Sequence, residues 1–296
     1  MEKVILDQLT TLGHPQRLAL FRLLMRRYPD ALAAGEIATA LDLPASTLSA
    51  YLSRLMRAGL ITQDRHATSL HYRIDMTAVQ QAFQYLSHDC CNDRPILCPP
   101  APLTASNTLR VLFLCTGNAA RSIMAEAILR SKAGHRFSVF SAGTKPLGQI
   151  APAARTLLAQ NGHDIAALGS KSLATLQHAN TVPFDFIFTV CDRAANEDAP
   201  PWPGHPLRAH WGLPDPLAEK AGTAAQTKAI EDTYNALQQR IHAFVALPFD
   251  TLPRSNLQAA LDDIAHILPQ HESSPNDHIC LERNGAHRQI GPARTA

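Results

Sequence analysis

The chain has 296 residues, of which 46% are hydrophobic and 18% charged, and its formal net charge is only +2. This length exceeds the usual size of one hydrophobic core, so we predict two domains, and the composition excludes disorder along the whole chain. No apolar stretch approaches the ~20 residues that cross a bilayer, so we predict a cytoplasmic protein without membrane contact. Because the cytosol keeps thiols reduced, the six cysteines indicate reactive or ligand-binding thiols rather than disulfides.

The first hundred residues combine helical patterns with a hairpin. Residues 14–28 have apolar positions at helical spacing. The residues predicted to share their buried face are Leu18, Phe21, Leu24 and Met25. Two shorter helical segments meet at 41–46, a proline-containing junction that suits a tight helix-turn-helix corner. Two β-like runs then flank a polar tip after Gly59. This order predicts a winged helix-turn-helix domain over residues 1–98.

Two stretches of this domain, LGHPQRLALFRLL and EIATALDLPASTLSAYLSRLMRAGLI, resemble the ArsR (arsenic repressor) family of dimeric winged-helix repressors. The resemblance implies a homodimer that binds operator DNA, with the helix that starts near Pro44 in the major groove. The implied DNA-facing residues are Ser46, Thr47, Ser49, Tyr51 and Arg54 on this helix and Arg65 and His66 on the wing. Since the domain is nearly neutral, DNA binding depends on dimerisation to double the contacts. A module that contacts another protein is the alternative.

Three cysteines fall within nine residues after the predicted helix 76–88. Cys90, Cys91 and Cys98 offer three soft sulfur donors without the fourth ligand that a structural zinc site requires. Trivalent arsenic takes three thiolates, and in some members of the resembled family a Cys-Cys pair and a third cysteine form an arsenite site. The resemblance therefore implies arsenite as an effector. The alternatives are a zinc site completed by His88 or Asp89, or incidental surface thiols.

The chain divides after this cluster. A segment rich in Pro, Ser and Asn has no periodicity and predicts a linker at 99–107. The end of the chain lacks periodic apolar positions, so we predict a disordered tail at 269–296. The second domain is then expected at 108–268.

The second domain opens on an apolar run at 109–114 that is typical of a buried parallel strand. A loop with Cys115 and Arg121 five residues apart follows, before a helix at 121–133. Backbone N–H groups of a strand-to-helix turn converge on a tetrahedral oxyanion, and their field should lower the pKa of Cys115. The predicted oxyanion loop consists of Thr116, Gly117, Asn118, Ala119, Ala120 and Arg121. Later strands at 137–142 and 185–190 predict an open parallel α/β sheet.

The stretch VLFLCTGNAARSIMAEAILR, with SAGT, VCD and HWGLPDP downstream, resembles arsenate reductases of the low-molecular-weight protein tyrosine phosphatase fold. The resemblance runs from about residue 108 to 268. It implies that Cys115 attacks arsenic while Arg121 holds the oxyanion and Ser122 supports the thiolate. Asp215 would protonate the departing oxygen. Cys191 would then attack the adduct, releasing arsenite and leaving a Cys115–Cys191 disulfide.

One position departs from that family. Ala199 stands where these reductases often carry a third cysteine before a proline, so an outside thiol must clear the disulfide unless Cys280 of the predicted tail substitutes for it. Thioredoxin, glutaredoxin or a small thiol are the candidate reductants, and no tightly bound cofactor is expected. The alternatives are phosphatase activity, which would leave Cys191 without a task, and a non-catalytic oxyanion sensor attached to a repressor.

Overall fold

The structure is a computed structural model that describes residues 2–90, 108–179, 182–197 and 202–267. The predicted linker and tail, together with Cys91, Cys98 and Ala199, lie outside the described residues. The helices are α1 Glu2–Leu12, α2 Pro15–Arg27, α3 Ala34–Leu41, α4 Ala45–Arg57, α5 Met76–Tyr85, α6 Arg121–Ala133, α7 Pro152–Gln160, α8 Leu173–Ala179, α9 Asp192–Asn196, α10 Ala224–Val245 and α11 Arg254–Ile264. The strands are β1 Leu32–Ala33, β2 Ile61–His66, β3 Ser69–Ile74, β4 Leu109–Cys115, β5 Phe137–Gly143, β6 Phe186–Thr189 and β7 Leu207–His210.

The first five helices and a three-stranded antiparallel sheet form the winged helix-turn-helix that the sequence predicts. The sheet has the order β1-β3-β2, and the β2–β3 hairpin pairs Ile61 with Ile74 at its base and His66 with Ser69 at its tip. Asp75 caps α5 by accepting a hydrogen bond of 3.0 Å from the backbone N–H of Ala78. These elements enclose their own core.

The buried face of α2 differs from the prediction. Leu20, Leu23 and Leu24 are fully buried, whereas Leu18 is 42% exposed. Arg27 is buried on the same stripe, which follows the i, i+3, i+4, i+7 spacing of a helix face. The prediction for Leu18 was wrong because apolar spacing alone allows more than one stripe on this helix.

The second domain is built on a parallel sheet with the order β5-β4-β6-β7. This confirms the predicted open parallel α/β fold, to which the structure adds β7. Val111 and Phe113 of the central strand pack into a core shared with α6 and α10, while Leu112 and Leu114 are buried on the opposite face. Because β4 and β6 are parallel neighbours, their carboxyl ends meet at one edge of the sheet.

None of the helices in the described ranges is long and apolar enough to cross a membrane.

Candidate active site

Cys115 is the last residue of β4, the strand that lies between β5 and β6 in the sheet. Its side chain is only 2% exposed, and the chain turns directly from it into α6. The turn contains Asn118 at φ 43°, a left-handed conformation that asparagine tolerates better than most residues. The strand therefore delivers the thiol to the floor of a strand-to-helix loop.

The carbonyl groups of this loop are bonded to the segment that follows β5. Backbone N–H groups of Thr144, Lys145, Leu147 and Ala151 donate to the carbonyls of Cys115, Thr116, Gly117 and Ala119. In a planar trans peptide the N–H points opposite to the C=O, so the N–H groups of the same peptides face the inside of the loop. One of them, from Asn118, donates to the Sγ atom of Cys115 at 3.1 Å. This orientation fits the oxyanion loop predicted for Thr116 to Arg121, which stays a prediction.

The close approach of β5 to the loop depends on a glycine. A Cβ atom at Gly143 would lie 2.6 Å from the carbonyl oxygen of Thr116 and 3.0 Å from the Cβ atom of Asn118. Any side chain at this position would push the loop away from the strand. Gly143 thus allows the hydrogen bonds that turn the loop carbonyls outward.

Cys115 is hydrogen-bonded to a network of buried side chains. The Asn118 side-chain amide donates to the hydroxyls of Ser122 at 2.8 Å and Ser141 at 2.9 Å. Because the Ser122 oxygen already accepts this bond, its own hydrogen is free to donate to the Sγ atom of Cys115, 2.9 Å away. Ser141 in turn donates at 2.5 Å to Glu126, a buried carboxylate. The network orients the Ser122 hydroxyl toward the sulfur.

The loop donors lower the pKa of Cys115 as predicted, but burial outweighs them, so the net shift is opposite to the predicted one. Burial raises the pKa of the Cys115 thiol, and the nearby Cys191 acts in the same direction. Hydrogen bonds from Ser122 and from the backbone N–H of Asn118 lower the pKa but do not offset the desolvation. Burial therefore has the larger effect on the thiol, and the donors around the sulfur act against it.

Replacing Ser122 by alanine should shift the pH dependence of the reaction proposed below. The variant loses a donor that favours the thiolate, so the pKa of Cys115 rises further and the rising limb of kcat/KM moves to higher pH. We expect kcat/KM to fall about tenfold at pH 7 and to recover toward wild type in alkali. A tenfold loss corresponds to the low end of the free energy of one charged hydrogen bond. Ser138→Ala, on β5 and bonded to Thr108, is the matched control. A uniform loss at all pH values would contradict this role for Ser122.

Arg121 and Asp215 face each other beside the loop. The Arg121 guanidinium lies 3.1 Å from a carboxylate oxygen of Asp215 and donates to the carbonyl of Leu213 at 3.0 Å. The arginine side chain is 12% exposed and the aspartate side chain 52% exposed. The structure therefore brings the predicted oxyanion-binding cation next to the predicted acid, at the open side of the site.

Cys191 lies two residues after the end of β6 and occupies the N-cap position of α9 without a side-chain capping hydrogen bond. Its thiol is buried and free, and its Sγ atom lies 3.4 Å from the hydroxyl of Thr116. A second thiol therefore borders the same loop as Cys115. The roles predicted for these residues stay predictions, but all five predicted catalytic side chains lie at one edge of the sheet.

The sequence prediction missed the side chains that support the loop through Asn118. Glu126 forms ion pairs with Arg130 and with Lys171, and the backbone N–H of Lys171 donates to the Asn118 side chain at 2.6 Å. Two signals were present. Glu126 is the single carboxylate in the apolar helix segment IMAEAIL, and Ser141 begins the SAGT segment.

The predicted DNA-facing residues lie on α4 and on the wing. Ser46, Ser49 and Arg54 are exposed, as are Arg65 and His66 at the hairpin tip. Thr47 is half-buried, and the half-buried ring of Tyr51 lies 5.2 Å from that of His14, so Tyr51 also contributes to packing. DNA contact stays a prediction for all seven.

Of the predicted arsenite ligands, Cys90 alone belongs to the described residues. It is exposed at the end of a π-helical turn that continues α5. Within the described ranges no group of three His, Cys, Asp or Glu residues comes together as a metal site. The three-thiol site stays a prediction.

The fold and the loop define a class: a winged helix-turn-helix domain joined to an open parallel α/β domain with a buried cysteine at its first strand-to-helix loop. Residues 110–247 match the family described as "Low molecular weight phosphotyrosine protein phosphatase", and residues 12–64 match a family described as "Helix-turn-helix domain". Through its C-terminal domain the chain belongs to the low molecular weight phosphotyrosine protein phosphatase family, and its curated relatives include arsenate reductases.

Curated relatives and solved structures resemble either half. An arsenate reductase of Brevibacillus brevis is 36% identical over 38% of this chain and 81% of its own length. One of Bacillus licheniformis is 33% identical over 45% of this chain and 93% of its own. The thioredoxin-dependent arsenate reductase of Corynebacterium glutamicum is 24% identical, with TM-score 0.35, over 69% of this chain and 90% of its own. Reduced HlyU of Vibrio cholerae is 26% identical, with TM-score 0.25, over 30% of this chain and 92% of its own.

Proposed function

We propose that this chain is a thiol-dependent arsenate reductase fused to an arsenic-responsive repressor. The observation that carries the enzyme half is the second buried thiol, Cys191, at the loop that holds Cys115. Hydrolysis of a phosphate ester uses one cysteine, whereas reduction of arsenate needs two electrons, which a pair of thiols supplies. The curated relatives named arsenate reductase support the same substrate.

The proposed reaction has two steps. The Cys115 thiolate attacks arsenic, and an arsenate oxygen leaves as water after proton transfer from Asp215, while Arg121 holds the remaining oxygens. The Cys191 thiolate then attacks the Cys115 sulfur. A disulfide forms, the sulfur–arsenic bond breaks, and its electron pair goes to arsenic, which leaves as trivalent arsenite. An external dithiol or two small thiols must afterwards reduce the disulfide.

Thioredoxin, glutaredoxin and a small thiol are the proposed classes of reductant, since Ala199 offers no internal third thiol. No tightly bound cofactor takes part in the proposal. Operator DNA and arsenite are the proposed partners of the first domain. The proposed division of the chain is 1–98, 99–107, 108–268 and 269–296.

The test of the enzyme half is arsenite formation from arsenate with each of the three reductants, beside hydrolysis of an aryl phosphate. We expect arsenite release with at least one thiol donor and little phosphatase activity. Phosphate ester hydrolysis without arsenite formation would make the chain a phosphatase. The absence of both activities, with retained oxyanion binding, would leave a sensor.

The repressor half is proposed to act as a homodimer. α1 carries three large apolar side chains that are exposed, Val4, Leu6 and Leu9, and the neighbouring α5 carries Phe83, which is 65% exposed. Exposed apolar side chains on two adjacent helices fit packing against a second copy of this domain. Two copies would also place two α4 helices on one operator.

Arsenite is proposed to release the repressor by binding Cys90, Cys91 and Cys98. Serine at any one of them should leave operator binding intact but raise the arsenite concentration for half-release by about tenfold or more, since a lost thiolate removes differential affinity worth over 1.4 kcal/mol. A gel-shift titration measures this shift. Cys280→Ser, which removes a thiol outside the proposed site, should respond as wild type. If all three variants release DNA at wild-type arsenite concentrations, the sensor site lies elsewhere.

A further inference from the structure

The short helix α9, which starts directly after Cys191, is held at both ends by arginines of the other domain. Arg26 of α2 donates to the carbonyl of Ala195 at 3.0 Å and to that of Asn196 at 3.3 Å. These are carbonyls at the C-terminal end of α9, which have no partner within a helix of this length. Arg27, the next residue of α2, reaches the opposite end of the helix.

Arg27 sits in the contact between the domains with its side chain only 6% exposed. One Nη atom lies 2.7 Å from the Glu36 carboxylate and 2.9 Å from the Asn196 side-chain oxygen. The other lies 3.3 Å from a carboxylate oxygen of Asp192. A buried guanidinium is costly unless it is paired, so these partners fix where α9 sits against α2.

Asp192 is also bound within the reductase domain. Its carboxylate oxygen lies 3.0 Å from Nε2 of His210, and Nδ1 of the same ring lies 2.8 Å from the Thr189 hydroxyl. The hydrogen bond from His210 lowers the pKa of Asp192, and Arg27 contributes in the same direction. The carboxylate is therefore ionised and ties the end of β6, the end of β7 and α2 to the first residue of α9.

Cys191 is buried in the core of the reductase domain at the point where α9 begins. It is the residue before Asp192, and its Sγ atom contacts the Thr116 hydroxyl at 3.4 Å. To form the disulfide its sulfur must come within 2.05 Å of the Cys115 sulfur, with a narrow range of dihedral angles. The position of α9 therefore sets how often Cys191 reaches that geometry.

We propose that Arg27 is a positioning residue of the reductase, supplied by the DNA-binding domain, and that it acts with Arg26 to hold α9 and Cys191 for attack on the Cys115 adduct. The inference rests on the proposed two-thiol reaction. Arg27 contacts Glu36, Asp192 and Asn196, so we expect it to affect the second step and to leave arsenate binding and the first attack unchanged. A displaced resolving thiol loses effective concentration steeply, because small errors in placement are costly.

The experiment compares full-length wild type with Arg27→Ala, Arg27→Lys and Arg26→Ala in single turnover, with arsenate and no external thiol. Arsenite release and the Cys115–Cys191 disulfide, mapped by peptide mass, report the second step. The arsenate concentration that protects Cys115 from alkylation reports binding. Arg17→Ala is the matched control, because Arg17 lies on the same helix but donates to carbonyls of Thr10 and Thr11.

We expect Arg27→Ala to slow disulfide formation about tenfold with protection of Cys115 unchanged. Arg27→Lys, which keeps the charge opposite Asp192, should recover part of the rate, and Arg17→Ala should equal wild type. Arg26→Ala leaves the Arg27–Glu36 pair in place and should slow the same step. This variant therefore tests the inference even if Arg27→Ala fails to fold. Wild-type rates of disulfide formation in both alanine variants would overturn the inference, whereas failure of wild type to form the disulfide would overturn the proposed function itself.

Discussion

Serine in place of Cys115 is expected to abolish arsenate reduction, by roughly 10⁴-fold or more, while operator binding remains at wild-type affinity. A serine hydroxyl does not ionise near neutral pH, so no nucleophile remains at the end of β4. The hydrogen bonds at residue 115 should be retained in the variant, because the Ser122 hydroxyl and the Asn118 N–H can bond an oxygen as well as a sulfur. The loss therefore reports chemistry rather than collapse of the loop.

Two measurements check this result in the same preparation. Arsenite formation with a saturating thiol donor gives the activity, and a gel shift with operator DNA gives the function of the first domain, whose core is separate. Cys280→Ser serves as the control for loss of one thiol and should retain full activity. Substantial turnover by Cys115→Ser would assign the nucleophile to another residue.

Cys191→Ser is expected to lose most activity, about 100-fold or more in the presence of millimolar thiols. An intramolecular thiol next to the adduct has an effective concentration far above that of a thiol in solution. In wild type, one turnover without external thiol should yield one arsenite and one Cys115–Cys191 disulfide. In the variant the arsenic should stay on Cys115 until an outside thiol attacks it.

The product identifies which route the variant takes. With a small thiol, slow turnover through a mixed arsenic–thiol species is compatible with the scheme. In that case the small thiol attacks the Cys115 adduct in place of Cys191. Full activity of Cys191→Ser with thioredoxin, glutaredoxin and a small thiol alike would leave Cys115 as the one catalytic cysteine. The activity of wild type should depend strongly on the reductant, because no residue of the site reduces the Cys115–Cys191 disulfide.

Local patterns in the sequence predicted the framework of the site. The run from Leu109 to Leu114 predicted β4, and the spacing of Cys115 and Arg121 predicted the loop, because both features depend on neighbours in the chain. β7 was missed because its four residues, LRAH, include an arginine and a histidine and form no apolar run. Its place in the sheet comes from pairing with β6, which is a long-range contact.

The groups behind the loop depend on such long-range contacts as well. Asn118 meets Ser141 and Lys171 through the approach of β5 and the segment before α8, and no local pattern indicates that meeting. The direction of the Cys115 pKa was mispredicted for the same reason. The helix and the loop donors are visible in the sequence, but the desolvation that outweighs them is set by the packing of the whole sheet.

The contact between α2 and α9 has a consequence for dissecting the protein into fragments. A fragment cut within 99–107 would retain Cys115, Arg121 and Cys191, yet its Asp192 would lose the Arg27 cation and its Ala195 and Asn196 carbonyls would face water. The other fragment would carry Arg27 with Glu36 as its remaining carboxylate partner among the contacts described above. Kinetics of the severed reductase would therefore describe an enzyme whose α9 lacks its contacts with α2. The domains are better compared by point substitution in the intact chain.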